Sequence, residues 1–171
     1  LGARVIATST SDAKLVKARA LGADDTINTT TEDLVDATRA LTGKRGADVV
    51  IEQVGQALWE KVVLACARGG RIVTCGATSG HQAVIDLRHV FFRQISVLGS
   101  TMGCKGDLYA VVDQVAAGRL KPIVDRVLPF THVRDAHALL EASLQFGKIV
   151  LRVTSESGSP PDSSSFARNG S

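Results

Sequence analysis

Three apolar runs of this 171-residue chain end on small residues: VVIEQVG closes on Val54-Gly55, GGRIVTCG on Cys75-Gly76, and ISVLGSTMG on Gly99-Ser100. Small residues at equivalent strand ends let a flat ligand lie against bare backbone, where a Cβ would hold it off. One such glycine is an ordinary turn; three at one sheet edge describe a ligand crevice. A fourth run, RVIAT, leads into the polar stretch STSDAK. That turn has no glycine and cannot wrap a pyrophosphate as G-x-G-x-x-G does. Its chemistry suits the adenosine ribose of a dinucleotide instead. An acidic side chain there accepts the ribose hydroxyls, whereas a small polar residue beside a cation admits a 2′-phosphate. Ser9 holds the strand end and Lys14 follows one helical turn later. Asp12 reads as a first-turn acid at a helix N-terminus. A capped helix with a solvated Lys/Arg face accounts for the same residues.

Other reactive side chains form no constellation. Cys66, Cys75 and Cys104 are an odd number at wide spacing, which fits reduced thiols and gives no Cys-x-x-Cys signature. His81, His89, His132 and His137 lack metal-ligand spacing, so neither catalytic nor metal-binding residues are assigned. A net charge of +3 with 4% aromatics gives no basis for nucleic-acid binding. No apolar run approaches the ~20 residues that cross a bilayer, and no signal-peptide pattern opens the chain. The expected location is intracellular, in the cytoplasm.

Two periodicities alternate along the sequence and supply the elements that carry these residues. β-Branched runs stand at 4–8 (RVIAT), 47–52 (ADVVIE), 70–75 (GRIVTC), 95–100 (ISVLGS) and 148–153 (KIVLRV). Their near-continuous apolarity predicts strands buried on both faces. Between them lie amphipathic stretches: SDAKLVKARAL, TEDLVDATRALTG, QALWEKVVLACARGG, GDLYAVVDQVAAGRL and THVRDAHALLEASLQFG. Several begin on a capping residue and stop at glycine, as helices do. LGA at 21–23 marks such a stop, and the same three letters open the chain. Alternating strands and helices predict an α/β fold with a doubly wound parallel sheet in one domain over 1–153. From Thr154 the pattern gives way to Ser, Gly and Pro, which predicts a disordered, dispensable tail over 154–171.

ALGAD, KRGADVVIEQVG, CARGGRIVTCGATSG, HVFFRQISVLGSTMG, GRLKPIVDRVLPF and FGKIVLRV, in this order, resemble the cofactor-binding half of the medium-chain dehydrogenase/reductase family, which includes zinc-type alcohol dehydrogenases and quinone oxidoreductases. The resemblance covers residues 1–153. It implies a Rossmann-like sheet lacking its first strand and glycine-rich loop, with the chain opening at the last turn of the first helix. It also implies hydride transfer between NADP(H) and a carbonyl, alcohol or activated alkene. Ser9 and Lys14 match positions that favour NADP(H) over NAD(H), although Thr29 stands where relatives often carry a tyrosine near the 2′-phosphate. Val54, Gly55, Cys75, Gly76, Ala77, Gly99, Ser100 and Thr101 match the nicotinamide end. Phe146, Gly147 and Lys148 match the loop returning toward the catalytic domain. Zinc, if used, and substrate polarisation belong to an N-terminal domain outside this chain, so the chain alone is expected to be inactive. The edge strand 95–100 is expected to pair two subunits into a homodimer.

Two rivals come from other classes. A Rossmann-type methyltransferase would want a glycine-rich first turn and an acidic second-strand end, which Ser9 contradicts; a non-catalytic nucleotide-binding or interaction module would need only the crevice. In the strand order 3-2-1-4-5-6 the absent strand is central. RVIAT and ADVVIE would then face a gap, and are expected to pair directly with each other or to be partly disordered.

Overall fold

A computed structural model describes residues 2–153. The serine-rich tail 154–171 lies outside the described residues, as does Leu1. Two compact units divide the chain, Leu1–Gly103 and Cys104–Ser171. In the first the order is β1 (Ile6–Ser9), α1 (Asp12–Ala20), β2 (Asp25–Asn28), α2 (Leu34–Leu41), β3 (Ala47–Glu52), α3 (Trp59–Ala65), β4 (Cys66–Thr74), α4 (Leu87–Arg93) and β5 (Ser96–Gly99). The second contains α5 (Lys105–Ala116), β6 (Val124–Pro129), a 3-10 turn, α6 (Val133–Glu141) and β7 (Lys148–Arg152).

Every strand pair is parallel: β1 with β2, β3 with β4, β4 with β5, and β6 with β7. Helix α1 ends where LGA predicts. Gly22 takes φ +103°, and the N–H groups of Gly22 and Ala23 reach back to Arg19 O (2.9 Å) and Ala18 O (3.1 Å). Gly2 is also left-handed, at φ +75°. Helix α2 is started by Asp33, whose carboxylate accepts from Val35 N (2.9 Å) and Asp36 N (3.1 Å). The Asp36 N–H, then Lys61 and the Val35 N–H, hold that carboxyl below its usual range. Asp86 caps α4, where the Arg88 guanidinium and then the Arg88 N–H pull its carboxyl down to about 2. α2 lays Leu34 against Val62 and Val63 of α3, and these join Ile27, Cys66, Ile72 and Ile95 in one core. Each large aliphatic side chain so buried contributes about 1.5–3 kcal/mol.

The structure corrects the sequence reading at four places. CARGG, read as the end of a helix, is the start of β4. α3 stops at Ala65 because Gly70 folds back so closely that a Cβ there would stand 2.6 Å from Cys66 Sγ. The guanidinium of Arg93 then closes the helix end, donating to Val63 O (3.0 Å), Leu64 O (3.4 Å) and Cys66 O. Strands β2 and β6 and helix α4 were not anticipated. Burial on both faces fails for the three-stranded sheet: Ile72 is 0% exposed on one face, while Ile51 is 67% exposed on the other. Finally, β1 does not close onto β3. β1 pairs with β2 and β3 with β4, in separate sheets. Helices packed side by side stand about 8–10 Å apart, roughly two strand spacings. α2 packs on α3 across the two sheets, α2 lying on β2 and α3 on β3 and β4.

Candidate functional site

The register of the three-stranded sheet brings its carboxyl ends level, with Glu52 beside Thr74 and Thr74 beside Gly99. One residue further, Cys75 N–H donates to Glu52 O and Ser100 N–H to Thr74 O, both at 2.9 Å. Val54-Gly55, Cys75-Gly76-Ala77 and Gly99-Ser100-Thr101 therefore share one edge, as their spacing predicts. Cys75, Gly76 and Ala77 are exposed there, and so are Gly99, Ser100 and Thr101.

The turn after β3 and the loop after β4 are laced together. Thr78 N–H donates to Gln53 O (3.2 Å), Ser79 N–H to Val54 O (2.8 Å) and Gln56 N–H to Gly80 O (3.1 Å). The Ser79 hydroxyl donates to Val54 O (2.6 Å) and accepts from Ala57 N–H (2.9 Å). Gly55 is required by this lacing: at φ +83° it is left-handed, and a Cβ would stand 2.5 Å from Gly80 O. Gly99 is the opposite case. Nothing lies within 4 Å of a Cβ built on it, so its backbone faces open space that a ligand can enter.

Glu52 holds the same turn from inside and was missed by the sequence reading. Its Oε1 accepts from Val54 N–H (2.6 Å) and Gly55 N–H (2.8 Å). Its Oε2 is buried without a hydrogen-bond partner. An acid closing the apolar run Val49–Ile51, two residues before Val-Gly, was the available signal.

Ser9 and Lys14 lie at the end of the separate β1–β2 sheet. Ser9 Oγ accepts from Ser11 N–H (3.2 Å), and Ser9 O accepts from Thr29 N–H (3.0 Å), which places Thr29 beside it. Lys14 sits half-buried in the first turn of α1. Asp12 does more than flank a helix end. Its Oδ1 accepts from Asn28 Nδ2 at 2.6 Å, so its carboxylate is tied to the end of β2.

Gly147 and Lys148 belong to the second unit. Gly147, at φ +104°, passes so close to Ile123 that a Cβ would stand 2.5 Å from Ile123 O. Lys148 N–H donates to that same carbonyl at 2.8 Å and opens β7, with half-buried Phe146 just before it.

The second unit has a hollow of about 400 Å³ lined by Val127, Leu128, Phe130 and Arg152, and the first has one of about 540 Å³ lined by Asp36, Arg39 and Ala40 of α2 and by Lys44. Burial pushes the Cys66 thiol up and keeps it in the core, while Cys75 and Cys104 are free and exposed. Among the described residues no group of three or more His, Cys, Asp or Glu is placed to hold a metal ion. No described helix is long and apolar enough to cross a membrane.

Comparison with known proteins adds three findings. Residues 1–117 match the family described as zinc-binding dehydrogenase. Quinone oxidoreductase-like protein 2 of Bos taurus is 28% identical over 160 residues, which are 88% of this chain and 46% of that protein. The crystal structure of an NAD-dependent alcohol dehydrogenase is 48% identical with a TM-score of 0.82, over 90% of this chain and 45% of that one. The chain thus spans less than half the length of these relatives.

Proposed function

The chain belongs to the zinc-binding dehydrogenase family, and from that premise we propose that it is the cofactor-binding part of an oxidoreductase. The reaction is hydride transfer between NADP(H) and a carbonyl, alcohol or activated alkene. The observation that carries the reading is the level edge formed by β3, β4 and β5, with Gly99 open beside it. When bound, the dinucleotide would give the hydride to a carbonyl or alkene in its reduced form or accept it from an alcohol in its oxidised form. This chain's residues orient it. The exposed backbone at 75–77 and 99–101 offers a flat surface for the nicotinamide end, and the Gly55 turn fixes the height of that surface.

The described residues do not provide a zinc site. Substrate polarisation is assigned to groups outside them. A cytoplasmic location accompanies this reading, in which the exposed thiols of Cys75 and Cys104 stay reduced.

Preference for NADP(H) rests on Ser9, in place of an acidic residue at the strand end, and on Lys14 one helical turn later. The 48%-identical relative is NAD-dependent by name and favours the second reading, NAD(H). Lys14→Ala separates the two. Loss of a charge-assisted contact to a 2′-phosphate costs about 1.5–3 kcal/mol, a factor of about 10 to 100 in NADPH affinity. Fluorescence titration is expected to show tighter wild-type binding of NADPH than of NADH, with that loss in Lys14→Ala for NADPH and no change for NADH; wild-type binding of NADH at least as tight as of NADPH would overturn the NADP(H) reading.

The edge of β5 supports a homodimer. β5 ends its sheet, and Val97 and Leu98 are exposed; an apolar edge of this kind is covered or paired in stable proteins. Light scattering is expected to give twice the chain mass, falling to the monomer mass in Leu98→Lys. A wild-type monomer at high concentration would remove the proposal.

A further inference from the structure

Asp12 is turned away from the place that a first-turn acid ordinarily takes. Such an acid settles over the N–H groups that open its own helix, where the helix end carries partial positive charge. The Ser11 side chain forms no capping hydrogen bond on α1. The carboxylate of Asp12 nevertheless points elsewhere, its Oδ1 accepting from Asn28 Nδ2 at 2.6 Å.

Asn28 is the fixed partner of this pair. It is 7% exposed, whereas Asp12 lies on the surface of α1. Asn28 Oδ1 accepts from Thr30 N–H (3.0 Å), its own N–H donates to Glu32 Oε1 (2.8 Å), and its carbonyl accepts from Thr31 N–H (3.1 Å) and Glu32 N–H (2.8 Å). The amide is thus held by the turn after β2, and the carboxylate comes to it. Asn28 is also the ladder partner of Ser9, and Lys14 shares the first turn of α1 with Asp12. An acid in that turn bears directly on whether a phosphate is accepted beside Ser9 and Lys14.

We propose that Asn28 is a positioning residue for cofactor choice: by holding the Asp12 carboxylate at the end of β2, it keeps the first turn of α1 open to the 2′-phosphate of NADP(H). This rests on the NADP(H) reading of the site and deepens it. Asn28 itself touches no part of the cofactor. Without its amide, the carboxylate falls back onto the opening N–H groups of α1 and faces the incoming phosphate. Like charges about 5 Å apart, at an effective dielectric constant of roughly 40–80, repel enough to weaken binding about five- to fifteenfold. A dinucleotide without the 2′-phosphate carries no charge there and is not repelled.

The full chain, Asn28→Ala and the double variant Asn28→Ala/Asp12→Ala are titrated by fluorescence with NADPH and NADH. Asn28→Ala is expected to bind NADPH about five- to fifteenfold more weakly with NADH not weakened. Removing the carboxylate in the double variant is expected to bring NADPH back to within about threefold of wild type. A residue that merely fastens the strand end would not be rescued by taking away its partner. Equal weakening of both cofactors, an unchanged NADPH affinity, or a double variant no better than Asn28→Ala would each overturn the proposal. Should Asn28→Ala show no thermal transition, Asn28→Asp keeps the side-chain shape and the acceptor for Thr30 N–H while turning an oxygen toward Asp12. Its NADPH affinity is expected to fall at least about fivefold relative to NADH, and to recover in Asn28→Asp/Asp12→Asn, which rebuilds the hydrogen bond with donor and acceptor exchanged. No recovery would overturn the proposal. A wild-type chain that binds NADH at least as tightly as NADPH, or binds neither, fails the NADP(H) reading itself, an outcome visible before any variant is compared.

Discussion

Alanine at Gly55 is expected to lower the thermal midpoint by roughly 5–15 °C and to abolish dinucleotide binding. Two effects add. The residue sits at φ +83°, where a Cβ is strained, and that Cβ would stand 2.5 Å from Gly80 O and 3.0 Å from Ala77 Cα. Strain and overpacking of this kind cost about 2–5 kcal/mol together, and in a chain of this size each kcal/mol moves the midpoint about 2–4 °C. Gly99→Ala is the matched control. Its added methyl meets nothing within 4 Å, so the midpoint is expected to stay within about 1 °C while the methyl, standing in the proposed crevice, weakens dinucleotide binding. A Gly55→Ala midpoint within 2 °C of wild type would show that the turn after β3 is not fixed by the loop after β4.

Amide exchange is expected to divide the first unit sharply. β4 lies between two partners, whereas β1 has one, and Ile6 and Ala7 are only half-buried against a fully buried Ile72. Local opening free energies range from near zero at frayed elements to the whole stability, about 5–15 kcal/mol, in core strands. Slowly exchanging amides of 71–74 are therefore expected to outlast those of 6–9 by a factor of roughly 100 or more. Equal protection would mean that β1 gains a second partner in solution.

How much of this was legible depended on whether periodicity or backbone geometry carried the information. β3 spans Ala47–Glu52, as its apolar run predicts, and the Gly22 terminus of α1 follows from LGA because only a left-handed residue ends a helix that way. β2 was not readable. Asp25–Asn28 is four residues with one aliphatic, Ile27, and that side chain is fully buried. Tertiary packing chose the strand where local pattern had no preference. The α3–β4 joint misled for the opposite reason: VVLACARGG keeps a helical stripe past Ala65, and only the approach of Gly70 to Cys66 shows that the helix must stop. At the candidate site, the small residues at three strand ends were legible because the requirement for bare backbone is compositional. Glu52 was not, since its role depends on the direction in which two N–H groups point. The Ser79 bridge from Val54 O to Ala57 N–H likewise exists only once two loops meet.

The register of the three-stranded sheet also bears on how the chain finds its fold. Val50, Ile72 and Val97 stand side by side, as do Val49, Arg71 and Ser96 on the other face. Sliding β4 by one residue would turn Ile72 outward and drive the Arg71 guanidinium into the aliphatic layer under α3. Period-two alternation makes every one-residue slip an exchange of faces. A β4 misaligned on β3 by one residue would thus carry a desolvation penalty for the Arg71 guanidinium, so that one charged side chain makes the nearest wrong alignment unfavourable.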